Sequence, residues 1–159
     1  MNNRGLAKRN IGDNKGAYED YNAAIAIDST MVEAFGNRAN AYFADEMYKE
    51  AAGDYLKSIR LNPEGISYYR HALCLVQIDR PNDALVEYRK AKSMGMSTAG
   101  FYNHVGVAHY KLGNYDSAAT LFKKAMDLDK ESCNMLRTME GHCMRSRIIN
   151  RPPNSSNIT

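Results

Sequence analysis

Ala51-Ala52-Gly53-Asp54-Tyr55-Leu56-Lys57-Ser58-Ile59 is the stretch on which the reading of this chain turns. Taken alone it is an ordinary helical segment, with small and large apolar residues three and four apart. It also recurs. Ala17-Tyr18-Glu19-Asp20-Tyr21-Asn22-Ala23-Ala24-Ile25 precedes it, Ala84-Leu85-Val86-Glu87-Tyr88-Arg89-Lys90-Ala91 follows, and Ala118-Ala119-Thr120-Leu121-Phe122-Lys123-Lys124-Ala125-Met126 comes last. The leading alanines stand at 17, 51, 84 and 118, so the spacings are 34, 33 and 34. Self-similarity at a fixed period of this size marks a repeat architecture, in which one helical unit cannot bury its own apolar face and neighbours must stack.

Working outward, each copy is preceded by a second pattern. The second copy reads Phe35, Arg38-Ala39, Tyr42, Ala51, Tyr55 and Pro63. The fourth reads Tyr102, Val105-Gly106, His109, Ala118 and Phe122. The third reads Tyr68, His71-Ala72, Leu75, Ala84 and Tyr88, with one residue deleted where it begins. The first reads Met1, Arg4-Gly5, Lys8, Ala17 and Tyr21. This resembles the tetratricopeptide repeat family over about residues 1–130. The resemblance implies an all-α, right-handed α–α superhelix of about four helix–turn–helix repeats, near 1–30, 31–64, 65–97 and 98–130. The small residues let paired helices approach closely, and the aromatics fill the space between hairpins.

Local signals place the boundaries. Gly12-Asp13-Asn14, Asp45-Glu46, Asp79-Arg80 and Gly113-Asn114 read as hairpin turns. Pro81 suits a first helical turn. Ser29-Thr30 and Ser97-Thr98 are N-cap candidates, and Gly95 is a C-terminal stop. First helices are expected near 2–11, 31–44, 65–78 and 98–111, and second helices near 15–27, 48–60, 81–93 and 115–128. Leu136, Met139 and Cys143 share a helical face, so a capping helix is expected over 131–147, followed by a disordered tail over 148–159. Met1 falls where the first repeat should have an aromatic. Either that repeat is frayed or the chain is part of something longer, and the second reading is favoured.

Composition excludes several function classes. The 159 residues are 44% hydrophobic and 25% charged, with a formal net charge of +3. That balance forces neither a nucleic-acid nor a membrane reading. No run approaches a membrane span and no signal peptide is recognisable. The cysteines, Cys74, Cys133 and Cys143, are odd in number and lack CxxC spacing, against a disulfide framework or zinc site. The expectation is a cytoplasmic protein. Cys74, His71 and His109 fall on packing positions. His104 and His109 are five apart, which does not share a helix face cleanly, and His142-Cys143 with Cys133 makes a poor metal set. No Gly-rich phosphate loop, HExxH or nucleophile elbow is present. Glu19-Asp20 reads as an exposed, solubilising acid pair. The chain reads as a non-enzyme with no cofactor.

Binding is the remaining class. The resemblance implies a concave groove lined by the first helices. Counting from the aromatic anchors turns Asn2, Asn3, Leu6, Arg9 and Asn10, then Glu33, Asn37, Asn40 and Phe43, inward. Ile66, Tyr69, Arg70, Leu73 and Gln77 follow, then Asn103, His104, Val107, Tyr110 and Lys111. Asn amides both donate to and accept from a peptide backbone, and Arg grips a carboxylate with two parallel bonds. The expected partner is a protein or peptide of acidic or C-terminal carboxylate character, held by an adaptor, scaffold or co-chaperone-like module. The alternative for this face is a solvated surface with no dedicated ligand. Some family members bind acidic chaperone C-termini through a clamp of five polar side chains. Asn37 and Arg70 match two of its positions, whereas Asn2, Leu6 and Ile66 stand where Lys, Asn and Lys would be, removing most of its charge-assisted bonds. A second function reading is nucleic-acid association through the basic end, Arg137, Arg145, Arg147 and Arg151. Met135, Met139 and Met144 would allow weak self-association of an otherwise monomeric chain if the capping helix leaves them exposed.

Overall fold

The computed structural model describes residues 1–128. These residues form eight helices and no strand: α1 (Asn2–Asn10), α2 (Asn14–Ile27), α3 (Val32–Ala44), α4 (Tyr48–Leu61), α5 (Gly65–Gln77), α6 (Pro81–Ser93), α7 (Ala99–Lys111) and α8 (Tyr115–Leu128). Each observed boundary lies within one residue of the expected one. The expected capping helix and tail, with Cys133, Cys143 and the basic end, lie outside the described residues.

Helices pair as α1·α2, α3·α4, α5·α6 and α7·α8, and each hairpin packs on the next through α2·α3, α4·α5 and α6·α7. The four repeat alanines and the small residues Gly5, Ala39, Ala72 and Gly106 are buried at the helix crossings. Beside them Tyr21, Tyr55, Tyr88 and Phe122 are almost wholly buried. Cys74 is buried against Ala39, Ala51, Ala52 and Tyr55, as a small apolar residue of the joint between the second and third hairpins.

The hairpin turns repeat a single device. In each, an N–H bonds back to the carbonyl five residues earlier: Asp13 to Lys8 (2.9 Å), Met47 to Tyr42 (2.8 Å), Arg80 to Leu75 (2.8 Å) and Asn114 to His109 (3.0 Å). This closes the first helix in a Schellman arrangement. The residue before each donor is left-handed: Gly12, Glu46, Asp79 and Gly113. Glycine occupies that position in the outer turns at no steric cost, and the two acidic side chains sit there with some strain.

Two local expectations are corrected. Ser29-Thr30 does not cap α3. Its N-cap is Met31, without a side-chain bond, because Asp28 already takes the Thr30 N–H (2.8 Å) and hydroxyl (2.6 Å) in the turn. Thr98 does cap α7, accepting from Phe101 N–H at 3.2 Å. Asp20 is not a solubilising surface acid. It is 3% exposed, because Arg4 of the paired helix donates to it (Nε–Oδ2 2.8 Å) and Lys8 lies 3.1 Å away. Glu19 beside it is exposed as expected.

Candidate functional site

The Arg4–Asp20 pair belongs to a series. Residues 16 apart join the two helices of a hairpin at one recurring position: Arg4–Asp20, Arg38–Asp54 and His71–Glu87, and in the fourth hairpin Val105 and Leu121. Arg38 binds Asp54 through Nε (2.6 Å) and Nη2 (2.7 Å). It also reaches across to Asn22 Oδ1 of the first hairpin (2.6 Å) and lies over the rings of Phe35 and Tyr42 at 5.8 Å each. These bonds hold the hairpins and use up cations that a sequence count leaves available.

The first helices form one face, with α1 beside α3 and α5 beside α7. Of the residues that the sequence turns into the groove, Asn2, Arg9, Asn37, Asn40, Phe43, Tyr69, Arg70, Leu73, Asn103, His104, Val107 and Tyr110 are half-buried, whereas Asn3, Leu6, Asn10, Glu33, Ile66, Gln77 and Lys111 are exposed. Several are tied to neighbours. Asn37 Nδ2 donates to Asn2 Oδ1 at 3.0 Å, and Tyr69 OH lies 2.8 Å from His104 Nδ1. Asn40 Oδ1 accepts from Tyr55 OH at 2.6 Å, and the Phe43 ring meets Tyr48 edge-on at 5.3 Å. Lys111 Nζ donates to the Val76 carbonyl at 2.8 Å, with Asp79 3.9 Å away. Arg9 is held by Asp45 at 2.8 and 3.0 Å, and Asp45 also accepts from Tyr18 OH.

Arg70 differs from all of these. Arg4, Arg9, Arg38 and Arg80 each hold a carboxylate. Arg60 and Arg89 are exposed. Arg70 is half-buried and pairs with no carboxylate among the described residues. The repeat explains why. Its counterparts Asn37 and His104 each bond the side chain at one position of the preceding first helix, Asn2 and Tyr69. For Arg70 that position is Gly36, which has no side chain, and a Cβ built there meets nothing within 4 Å. Burial pushes the Tyr69 phenol above its usual range, and the charge of Arg70 opposes that rise.

Protonation of the fold follows from the same contacts. Burial lowers the imidazoles of His71 and His104 below the ordinary 6.5. The bond from Arg9 holds Asp45 below the ordinary 3.8, and the bond from Arg4 does the same to Asp20. All four groups bind protons more readily when unfolded, so each destabilises the fold as pH falls through its unfolded value. Urea midpoints measured from pH 8 to pH 3 are expected to be flat above about 7. They should decline from about 6.5 through the histidines and decline again below about 4 through the aspartates. A midpoint that rises between pH 7 and 5 would contradict this assignment.

Models of the tetratricopeptide repeat match residues 1–31, 32–64 and 99–132. The chain belongs to the tetratricopeptide repeat family. Among its relatives, the human DnaJ homolog subfamily C member 7 is 32% identical over 101 residues, 63% of this chain and 20% of that protein. The Hsp70-Hsp90 organizing protein of Triticum aestivum is 33% identical over 100 residues, 62% of this chain and 17% of that protein. The repeat chain thus spans about a fifth of the length of these relatives. Among solved structures, MamA (41-end) from Desulfovibrio magneticus RS-1 superposes with a TM-score of 0.84 at 18% identity, covering 91% of this chain and 82% of that one. The Sgt2 TPR domain from Aspergillus fumigatus gives 0.70 at 17%, covering 80% and 88%. These likenesses share the expected superhelical fold of stacked hairpins.

Proposed function

We propose that this chain is a protein-interaction module whose first-helix face receives an acidic segment or C-terminal carboxylate of a partner protein, with Arg70 as the central anion-binding side chain. The observation that carries this reading is Arg70, a half-buried residue that pairs with no carboxylate among the described residues, with Gly36 at the repeat position that supplies a partner to its counterparts. A guanidinium with no internal carboxylate keeps its planar fork available, and a partner's carboxylate accepts two parallel bonds from it. Tyr69, the chain neighbour of Arg70, is bonded to His104, so a ligand meets a pre-ordered surface. Asn37 and Asn103 supply amides on the neighbouring helices. The names of two relatives associate them with chaperones, through Hsp70 and Hsp90 or DnaJ. A chaperone C-terminus therefore belongs to the partner class proposed, as does an adaptor or co-chaperone-like role. Asn2, Leu6 and Ile66 in place of further cations and an amide favour a single-carboxylate grip over the full clamp.

The test is calorimetry with an acidic pentapeptide bearing a free C-terminus, alongside its amidated form. Arg70→Ala is expected to weaken binding about 10- to 30-fold, the range of a charge-assisted bond pair at a half-exposed site. Gly36→Asp is expected to do the same by supplying an internal carboxylate, with the fold intact because its Cβ enters open space. Equal affinity of both variants and wild type would place the ligand elsewhere.

A further inference from the structure

The repeat serves as its own comparison structure at the crevice between successive hairpins. Between the first and second, the crevice is plugged. Arg38 lies over Phe35 and Tyr42, binds Asp54 and reaches Asn22. Between the third and fourth, every counterpart is changed: Val105 stands for Arg38, Leu121 for Asp54, Tyr102 for Phe35, His109 for Tyr42 and Arg89 for Asn22. The plug is gone, and a pocket of about 210 Å³ is open there. The linker here has five residues, 94–98, against four at 28–31 in the plugged joint.

The chemistry of the pocket is specific. Its walls are Leu85, Phe101, Tyr102, Val105 and Leu121, and its lining also includes Arg89 and Lys92 but no acid. Lys124 adds a third cation, 4.3 Å over the Tyr102 ring. Tyr88, 2% exposed, lines it too, and its hydroxyl has no hydrogen-bond partner among the described residues. The same holds for Nδ1 of the lining His109. Both atoms are closed off from solvent, so these two residues line the pocket through their other side-chain atoms. A cavity of about 150 Å³ accepts a benzene ring, whereas drug-sized ligands need at least about 300 Å³, so the space here suits one ring. The chain's own residues 129–159 carry five cations (Lys130, Arg137, Arg145, Arg147, Arg151) against three carboxylates (Asp129, Glu131, Glu140), a poor match to a cationic rim.

We propose that this inter-hairpin pocket is a second binding site, separate from the first-helix face, for an aromatic side chain of a partner protein flanked by a carboxylate. The ring takes the place that the Arg38 guanidinium holds in the first joint. The carboxylate meets Arg89 and Lys92.

The test is a ¹H–¹⁵N titration with acetyl-Asp-Tyr-Asp-amide, its Tyr→Ala counterpart and free phenylacetate. Shifts are expected in 85–92, 101–109 and 121 with the tyrosine peptide. At least tenfold weaker binding is expected for the other two probes, which lack the ring or the second carboxylate. Val105→Arg with Leu121→Asp installs the second hairpin's ion pair in this joint, and binding should fall at least tenfold with the helical circular dichroism unchanged. Arg89→Glu, an exposed charge reversal, should weaken it several-fold. Arg70→Ala should leave it unchanged, which separates this site from the first-helix face. Full binding by the plugged variant, or shifts confined to α3 and α5, would overturn the proposal. Phenylacetate binding as tightly as the peptide would overturn the assignment to a partner chain.

Discussion

Replacing Phe101 by alanine is expected to cost about 3–5 kcal/mol and to release the fourth hairpin before the other three. Phe101 is 1% exposed and sits where α6 and α7 meet, with the rings of Tyr69, Tyr88 and Tyr102 at 5.9, 5.8 and 5.5 Å. Removing it takes away the side chain that three rings of the joint pack on, next to a pocket that is already open. In a stacked array each hairpin touches only its neighbours, so the loss falls on one interface instead of spreading through a common core. Native-state hydrogen exchange is the measurement. Amides of 99–128 should lose protection by roughly the full cost, while those of α1 to α4 keep theirs. A uniform loss over residues 1–128 would show a single cooperative unit and sink the prediction.

The backbone of this molecule was readable because the period repeats residue types, not because any one segment is decisive. Ala17, Ala51, Ala84 and Ala118 are small for one reason, the helix crossing, and four such positions in step leave few alternatives. Helix ends were readable for the same cause, since a turn needing one left-handed residue recurs at Gly12, Glu46, Asp79 and Gly113. Side-chain partners were harder. Asp20 is acidic and next to Glu19, so within its own helix it reads as surface. Its burial depends on Arg4, 16 residues earlier, and the signal was present in the sequence as a second pair, Arg38 and Asp54, at the same spacing. Helical counting put nineteen residues on the first-helix face, and twelve of them are half-buried. Which of them are engaged did not, because that depends on lateral neighbours. Arg70 stands apart only once Gly36 is seen to occupy the position that Asn2 and Tyr69 fill for its counterparts.

Asp54→Ala is the second large effect expected, a loss of about 2–4 kcal/mol, somewhat below the 3–5 of a fully buried pair because Arg38 retains Asn22 and some water. Asp54 is 7% exposed and receives two bonds from Arg38, whose side chain is 18% exposed. The alanine variant leaves that guanidinium between Phe35 and Tyr42 without its counter-charge. Chemical denaturation measures the cost, and the informative comparison is Arg38→Val with Asp54→Leu, which installs the pair that the fourth hairpin carries as Val105 and Leu121. If the cost of Asp54→Ala is a stranded charge, the double variant should recover to within about 1 kcal/mol of wild type, since an apolar pair of suitable volume commonly replaces a buried ion pair at little cost. If the double variant is as unstable as the single one, the bonds to Asp54 and Asn22 stabilise the joint in their own right. The apolar fourth hairpin would then be the weaker version of the same crossing, in keeping with the open pocket beside it.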